Sequence, residues 1–396
     1  MQKDRLKTLY LDAHGSGPKV IMAETVLHGI LGNKDRMAPR HFFRRSPYIM
    51  RMSARLRQFY EPLSYTGDWR DVFCQTPEFD VEICNINNLV QYARCLLKIR
   101  TYDLIVVSHA AAGDDMTILR KTAGWFTLRR GKLVVFVGNE YDLLDEKIGF
   151  IRSAKAEVVC SQLPIEAARY LYQECEESQV LSLPHALNPV VYYPRPDLQR
   201  TIDIGFIGDI YWPFVGDKER TDLIRFFAAR GAEFGLTCDI RTQRIPRPEW
   251  ARFLSTCTGV IGAEAGTYYL NERGRLLTAA RDYNLKQNQQ ATFEEVFARF
   301  YKDQPRGVSG KSIAARHFEP IGAKACQMLL EGEYNGILKA DEHYISVHKD
   351  LSNIDEALCR FKDGAYRQAM VERTYDYVMA EHTYKHRVQT LLKTIA

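Results

Sequence analysis

From Phe79 onward the sequence alternates short, continuous apolar runs with longer amphipathic stretches, and it does so in two series. The first series has strand-like runs at Phe79–Asn85 (FDVEICN), Tyr102–Ser108 (YDLIVVS), Lys132–Val137 (KLVVFV) and Ala156–Cys160 (AEVVC). Helical patterns lie between and after them: LVQYARCLLKIR, MTILRKTAGWFTLRR and IEAARYLYQEC. Strands apolar on both faces, separated by helices, specify a parallel sheet covered on both sides. The pattern breaks at LPHALNPVVYYPRPD, where Pro184, Pro189, Pro194 and Pro196 prevent regular structure. It then restarts with IDIGFIG, helical ERTDLIRFFAARG, LTCDIRT, helical PEWARFLST and GVIGAEAG. A polar helical stretch (Glu272–Tyr301), KSIAARHFEPIGAKA, CQMLLEGE, HYISV and a helical tail from Asn353 complete the chain. At 396 residues, two such series predict an α/β protein of two doubly wound, Rossmann-like domains facing an interdomain cleft. The expected boundaries are 1–183, a linker at 184–197, a second domain at 198–365, and helices at 366–396 that return across the cleft. Ahead of Phe79, KTLYLDAHG and KVIMAE are candidate opening strands.

Composition narrows the function classes. The chain is 46% hydrophobic and 26% charged with a net charge of +5, an ordinary globular balance. The mild basicity suits an anionic small partner and falls short of a nucleic-acid signature, so none is expected. Its nine cysteines include no CxxC pair and several lie inside apolar runs, which predicts buried thiols in a reduced, cytoplasmic protein. No apolar stretch is long enough for a signal peptide or a membrane span, so a soluble chain is expected, with room for peripheral contact at the inner face of a membrane. Between Arg36 and Arg57 seven arginines (36, 40, 44, 45, 51, 55, 57) interleave with Phe42, Phe43, Tyr48 and Met50. Two readings stand: a membrane- or acceptor-facing basic surface, or a solvated helix face with its apolar side in the core.

Several familiar motifs are excluded. GVSGKS at Gly307–Ser312 imitates the end of a phosphate-binding P-loop, yet Pro305 stands where the first glycine is required and the preceding residues read as helix. No GxGxxG follows either first strand, no G-x-S-x-G elbow occurs, and no His/Cys cluster has metal spacing. The most informative phrase is ARHFEPIGAKACQMLLEGE (Ala315–Glu333), a helix bearing Glu319, then small residues, then a buried strand. A carboxylate near a helix start is placed to accept both hydroxyls of a ribose, although the dipole alone also favours an acid there.

Residues Ser309–Ala396 resemble the C-terminal domain of CgeB-like and related group 1 GT-B glycosyltransferases. The resemblance rests on Arg316, Phe318 and Glu319, on Asp350-Leu351-Ser352-Asn353 with Asp355 and Glu356, and on His382-Thr383-Tyr384 with Arg387. LPHALNP (Leu183–Pro189) and IDIGFIGDIY (Ile202–Tyr211) extend it. The resemblance implies the GT-B fold and transfer of a sugar from a nucleotide-sugar donor to an acceptor hydroxyl. It implies retention of configuration and no metal requirement; Asp114-Asp115 is then no metal motif. Glu319 corresponds to the second glutamate of the family's E-x7-E element, and Lys311 occupies the first position. Glu264, at the end of GVIGAEAGT, supplies the missing carboxylate if residues 268–310 are an insertion; otherwise it is a loop acid.

On the donor side, Gly208 permits close backbone approach, and Lys218 and Arg220 lie near a helix start where they suit a diphosphate or simply end a solvated helix. Arg316 and Glu319 complete the donor set, with His185 in the linker, reaching donor phosphate or pinning the hinge. On the acceptor side, His109 follows one strand, and Asn139-Glu140 stand where many retaining relatives carry histidine. His109, Asn139, Glu140 and Glu264 are the catalytic candidates; a hydrogen-bonded structural role is the alternative for His109. No cofactor is expected. The acceptor would be a glycan, a lipid-linked glycan or a protein, in cell-surface polysaccharide or glycoconjugate synthesis. A catalytically inactive GT-B-like protein and a two-lobed ligand-binding protein are the rival readings.

Overall fold

The computed structural model describes residues 5–13, 64–113, 116–140, 142–242, 245–305 and 307–396, apart from the side chains of Asn271 and Glu272. The Arg36–Arg57 stretch, KVIMAE and Asp114-Asp115 lie outside the described residues.

The described residues form two all-parallel sheets. The first has six strands in the order β2-β1-β3-β4-β5-β6: β1 Leu6–Asp12, β2 Phe79–Asn85, β3 Leu104–Val107, β4 Lys132–Phe136, β5 Val158–Ser161 and β6 Gln179–Ser182. The second has five, in the order β11-β10-β9-β7-β8: β7 Ile202–Ile207, β8 Cys238–Arg241, β9 Cys257–Gly262, β10 Cys326–Leu330 and β11 Ile345–Val347. Helices connect successive strands within each sheet except β10 and β11, which are joined by a loop with one short 3-10 turn at Tyr334–Gly336.

Why these runs form central strands is visible in β10, where every residue is buried. Strand side chains alternate faces, so Cys326, Met328 and Leu330 enter one core with Ile204, Phe206 and Ile261. Leu329 enters the other with Val260, Leu254 and Phe318. Each such side chain removed from water stabilises the sheet by about 1.5–3 kcal/mol. Gln327, the polar residue of this strand, is satisfied on one side only: its amide N–H donates to the His317 carbonyl at 3.0 Å, while its Oε1 meets no donor among the described residues.

The described residues up to Leu183, with Leu270–Gln287 and Val388–Ala396, make one compact unit; Pro184–Tyr269 and Asn288–Arg387 make the other. Within the second unit the proline-rich segment is tied to the tail phrase His382-Thr383-Tyr384. The Leu187 N–H donates to the His382 carbonyl at 2.9 Å, and the Tyr384 N–H donates to the Leu187 carbonyl at 3.0 Å. Arg387 Nε donates to the Pro184 carbonyl at 3.0 Å. Burial pushes the Arg387 guanidinium down to about 10. No described helix is long and apolar enough to cross a membrane.

Both sheets reverse strand direction of growth once, between β1 and β3 in the first and between β7 and β9 in the second. In open α/β sheets ligands bind outside the carboxyl ends of strands at such switch points. Those two places are where polar residues gather.

Candidate functional site

The carboxyl ends of β7 and β9 lead into Gly208 and into Ala263-Glu264, which therefore flank the switch point of the second sheet. Gly208 is held in place by its N–H, which donates to the Arg241 carbonyl at 3.0 Å. A Cβ at this position would lie 2.8 Å from Arg316 Nη1 and 3.3 Å from Arg220 Nη2. The absent side chain is what lets two guanidinium groups converge on the strand end.

Arg220 sits in the first turn of the helix Glu219–Arg230 and is only 3% exposed. Its Cζ lies 4.6 Å from the ring centroid of Tyr211 and 5.6 Å from that of Phe206. Its Nε and Nη2 are buried and meet no hydrogen-bond acceptor among the described residues. Cation–π contact offsets part of the desolvation, yet buried donors of a charged group left unmade are expensive. Arg316 opens the helix Ala315–Gly322 from the other side of Gly208.

Lys311 belongs to the same cluster. It is buried against Asp217, with which it forms an ion pair, and its Nζ lies 4.5 Å from the Tyr268 ring and 6.0 Å from the Tyr211 ring. Asp217 also accepts the Glu219 N–H at 2.8 Å, satisfying the first N–H of the helix that carries Arg220. Lys349 covers the Tyr268 ring at 5.0 Å, and the Tyr268 hydroxyl donates to Glu219. Burial would raise the Tyr211 phenol, but Arg220, Lys311 and Arg316 outweigh it and hold the group below the ordinary tyrosine value. That shift reports a strongly positive local field.

Glu264 lies at the edge of this field. Its Oε1 accepts the Tyr334 N–H at 2.7 Å, and Gly332 leaves room for its carboxylate where a Cβ would stand 2.5 Å from Oε2. Burial raises the Glu264 carboxyl above its usual range, with the Tyr334 N–H and Lys311 opposing. His317 links the end of β9 to the helix Ala315–Gly322: Nδ1 accepts the Ala314 N–H at 2.9 Å and Nε2 donates to the Ala263 carbonyl at 3.0 Å. Burial first, then Arg316, pushes it down to about 3, so it stays neutral and serves as a brace.

Glu319 is buried on the Ala315–Gly322 helix, and its Oε2 accepts the Trp250 indole N–H at 2.7 Å. Trp250 stacks on Phe253 at 5.7 Å. Lys218 does not join Arg220: it is exposed, 3.5 Å from Glu294 and 5.4 Å from the Phe293 ring. His185 is buried in the proline-rich segment, its carbonyl 3.5 Å from Arg387 Nη2. The structure thus brings together Gly208, Arg220 and Arg316, adds Lys311, Tyr211, Asp217 and Tyr268, and leaves Lys218 on the surface. Tyr211 and Tyr268 lay in phrases visible in the sequence, IGDIY and GTYYL, but nothing distinguishes such aromatics from core residues before folding.

In the first unit the catalytic candidates occupy the carboxyl edge of the sheet. His109 follows β3 and is enclosed by Trp69, Phe136 and Tyr65, with ring centroids 5.7, 5.1 and 5.8 Å away. Burial pushes it down to about 3. Glu140, after β4, accepts from Ser161 Oγ at 2.7 Å, the Gln162 N–H at 2.6 Å and the Tyr172 hydroxyl at 2.9 Å. Burial still raises its carboxyl, with those donors and Lys147 opposing. Asn139 adopts φ 44°, and its carbonyl, with those of Gly138 and Asp142, accepts from the buried Lys147 ammonium at 2.5–2.8 Å. The switch point itself carries a pair that the sequence reading missed: Ser108 Oγ donates to Asp12 Oδ1 at 3.1 Å.

Residues 263–393 match the family described as glycosyl transferase-like. No curated protein sequence matches the chain. An alpha-glucosyltransferase solved with UDP and a 13-mer DNA containing an HMU base aligns with a TM-score of 0.56 at 10% identity, covering 99% of this chain and 100% of that one. HepE from Anabaena, solved with UDP-glucose, aligns at 0.48 and 10% identity over 98% and 99% of the two chains. Sucrose-phosphate synthase from Thermosynechococcus elongatus aligns at 0.48 and 9% identity over 98% of each. The first of these likenesses shows the fold.

Proposed function

We propose that this protein, GT-B in fold and glycosyl transferase-like over residues 263–393, moves a sugar from a nucleotide-sugar donor to an acceptor hydroxyl. The observation that carries the proposal is Arg220, a buried guanidinium at a switch point with Nε and Nη2 unmatched among the described residues. A diphosphate supplies the missing acceptors. Arg316 and Lys311 add charge, and Gly208 lets phosphate oxygens approach the backbone. Glu319, on the helix that Arg316 opens, is the candidate partner of the ribose, with Trp250 holding its carboxylate.

Transfer breaks the bond between the anomeric carbon and the β-phosphate oxygen and forms one to the acceptor oxygen, whose proton is released; the β-phosphate, singly charged in the donor, leaves with a second negative charge. Three fixed cations near Gly208 favour that charge more than they favour the intact donor, which is how they lower the barrier. The proposal therefore includes metal-independent transfer, with retention of configuration and a role in glycoconjugate or cell-surface polysaccharide synthesis in the cytoplasm. On the acceptor side, Glu140 and Lys147 act as positioning residues that fix the loop carrying Asn139, and His109 shapes the same edge. Similarity to solved proteins that hold UDP or UDP-glucose makes uridine nucleotides the first donors to try.

The test is calorimetric titration of nucleoside diphosphates and their sugars into wild type and Arg220→Met, followed by product assay with EDTA present. Binding that weakens at least ten-fold in the variant supports the reading, since a charge-assisted hydrogen bond is worth about 1.5–3 kcal/mol. No nucleotide binding at millimolar concentration overturns it in favour of another two-lobed ligand-binding role.

A further inference from the structure

The first sheet has an outer face unlike the rest of the molecule. Helices Leu89–Leu97 and Thr117–Phe126 follow β2 and β3, and Tyr92 of one touches Thr122 of the other through their hydroxyls, 2.7 Å apart. Each buries one side and exposes the same stripe at i, i+1, i+4, i+5 and i+8. On the first helix the stripe is Leu89, Val90, Ala93, Arg94 and Leu97; on the second it is Arg120, Lys121, Gly124, Trp125 and, just past the end, Leu128. Leu89, Val90 and Leu97 are 63%, 64% and 74% exposed, and Trp125 and Leu128 are 44% and 51% exposed. These five are most of the seven large hydrophobics exposed among the described residues.

Charge on this face has one sign. No acidic residue occurs from Ile86 to Tyr102 or from Met116 to Lys132. Arg94, Lys98, Arg100, Arg120, Lys121 and Arg130 are exposed and make no ion pair among the described residues. Of the nearby acids, Glu157 is already committed to Arg129 at 2.7 Å, and Glu82 accepts from the Tyr102 hydroxyl at 2.6 Å. An exposed apolar stripe with a tryptophan, edged by cations on long aliphatic stems, matches the layering of a bilayer surface, with hydrocarbon beneath anionic headgroups.

We propose that this face docks the protein on an anionic phospholipid membrane. Trp125, Leu128 and Leu97 enter the headgroup–acyl boundary, and the six cations meet lipid phosphates. Both helices run the same way from their Tyr92–Thr122 contact, so Leu97 and Trp125 share one end of the face, with Leu128 beyond it. Each cation near such a surface contributes about five-fold in partitioning, so several together with the apolar insertion give salt-sensitive, reversible binding. The assignment is independent of the transferase reading.

Sedimentation with phosphatidylcholine vesicles, and with vesicles of an equal mixture with phosphatidylglycerol, tests it on the full chain. Binding to the anionic vesicles alone is expected, falling with salt. It should fall at least ten-fold in both Trp125→Ser/Leu128→Ser and Arg120→Glu/Lys121→Glu. All four positions are exposed, and an unchanged melting temperature shows that the fold is kept. Equal binding to neutral vesicles, or no binding, overturns the proposal. So does wild-type binding in both variants, which would move the membrane contact to the Arg36–Arg57 stretch. A change in oligomeric state without any vesicle binding overturns it in favour of self-association.

Discussion

The Arg220 guanidinium lies 4.6 Å from the centre of the Tyr211 ring while its Nε and Nη2 find no hydrogen-bond acceptor among the described residues. The fold therefore buries a guanidinium whose Nε and Nη2 the described residues leave unmatched. Replacing Arg220 by Met should leave stability unchanged or raise it by about 1 kcal/mol while abolishing stabilisation by nucleotide. Thermal melts with and without a nucleoside diphosphate check both halves. A variant that loses stability and keeps the nucleotide effect contradicts the assignment.

Tyr211 offers a spectroscopic reading of the same field. Arg220, Lys311 and Arg316 hold its phenol below the ordinary tyrosine value, whereas burial raises Tyr92, Tyr172, Tyr301 and Tyr334. A depressed folded pKa contributes stability that is present above the unfolded value and lost as pH falls through the folded one. Tyrosinate absorbance should therefore show an early step that disappears in Tyr211→Phe and shifts to higher pH in Arg220→Met.

The Lys311–Asp217 pair is buried on both sides. Removing one partner strands the other, so Asp217→Ala should cost about 3–5 kcal/mol of stability. The double change Lys311→Met/Asp217→Ala should be far milder than the sum of Lys311→Met and Asp217→Ala, and it should still lose nucleotide affinity. Urea denaturation of the four proteins measures the coupling.

Glu140 answers to three donors and still has a raised pKa. A raised folded pKa gives stability that is fully present below the unfolded value and lost as pH rises through the folded one. Glu140→Gln should flatten that decline, and Glu140→Ala should destabilise by about 2–4 kcal/mol by leaving Ser161, Gln162 and Tyr172 unsatisfied. Stability curves across mildly acidic to neutral pH distinguish the two.

His109 has the opposite sign of effect. Held down to about 3 by burial, it contributes stability that is present above the unfolded histidine value and lost as pH falls toward the folded one. It should remain neutral throughout mildly acidic and neutral pH. An imidazole resonance assigned by His109→Gln and titrating near 6.5 would show that its aromatic enclosure opens in solution.

The sheets were legible because parallel strands buried on both faces leave continuous apolar runs, as in LIVV of β3 and CQMLL of β10. The convergence of Arg220 and Arg316 on Gly208 was partly legible, because a strand end and two helix starts have characteristic chemistry. Lys311 was read only as a break in a glutamate pair. Its ion pair with Asp217 spans 94 positions of sequence, and no local pattern announces such a contact. Tyr211 and Trp250 were invisible for a different reason: an aromatic packed on a buried charged group has the same sequence context as one in a core. Lys218 and Arg220 are two residues apart, close to opposite faces of a helix start, so only one of them could turn inward.

Leu270–Gln287 and Val388–Ala396 belong with the unit that otherwise ends at Leu183. Each unit is therefore assembled from separated stretches of chain, and no single cut divides one from the other. The first unit cannot complete its fold on the ribosome until Val388–Ala396 has emerged, and neither unit can be exchanged for a homologous one by a single crossover. A fragment ending in the proline-rich segment would lack the Arg281 that pairs with Asp142 and the Ile395 carbonyl that receives Lys132. Such a fragment should expose further apolar surface and bind more of a dye for it than the intact chain does.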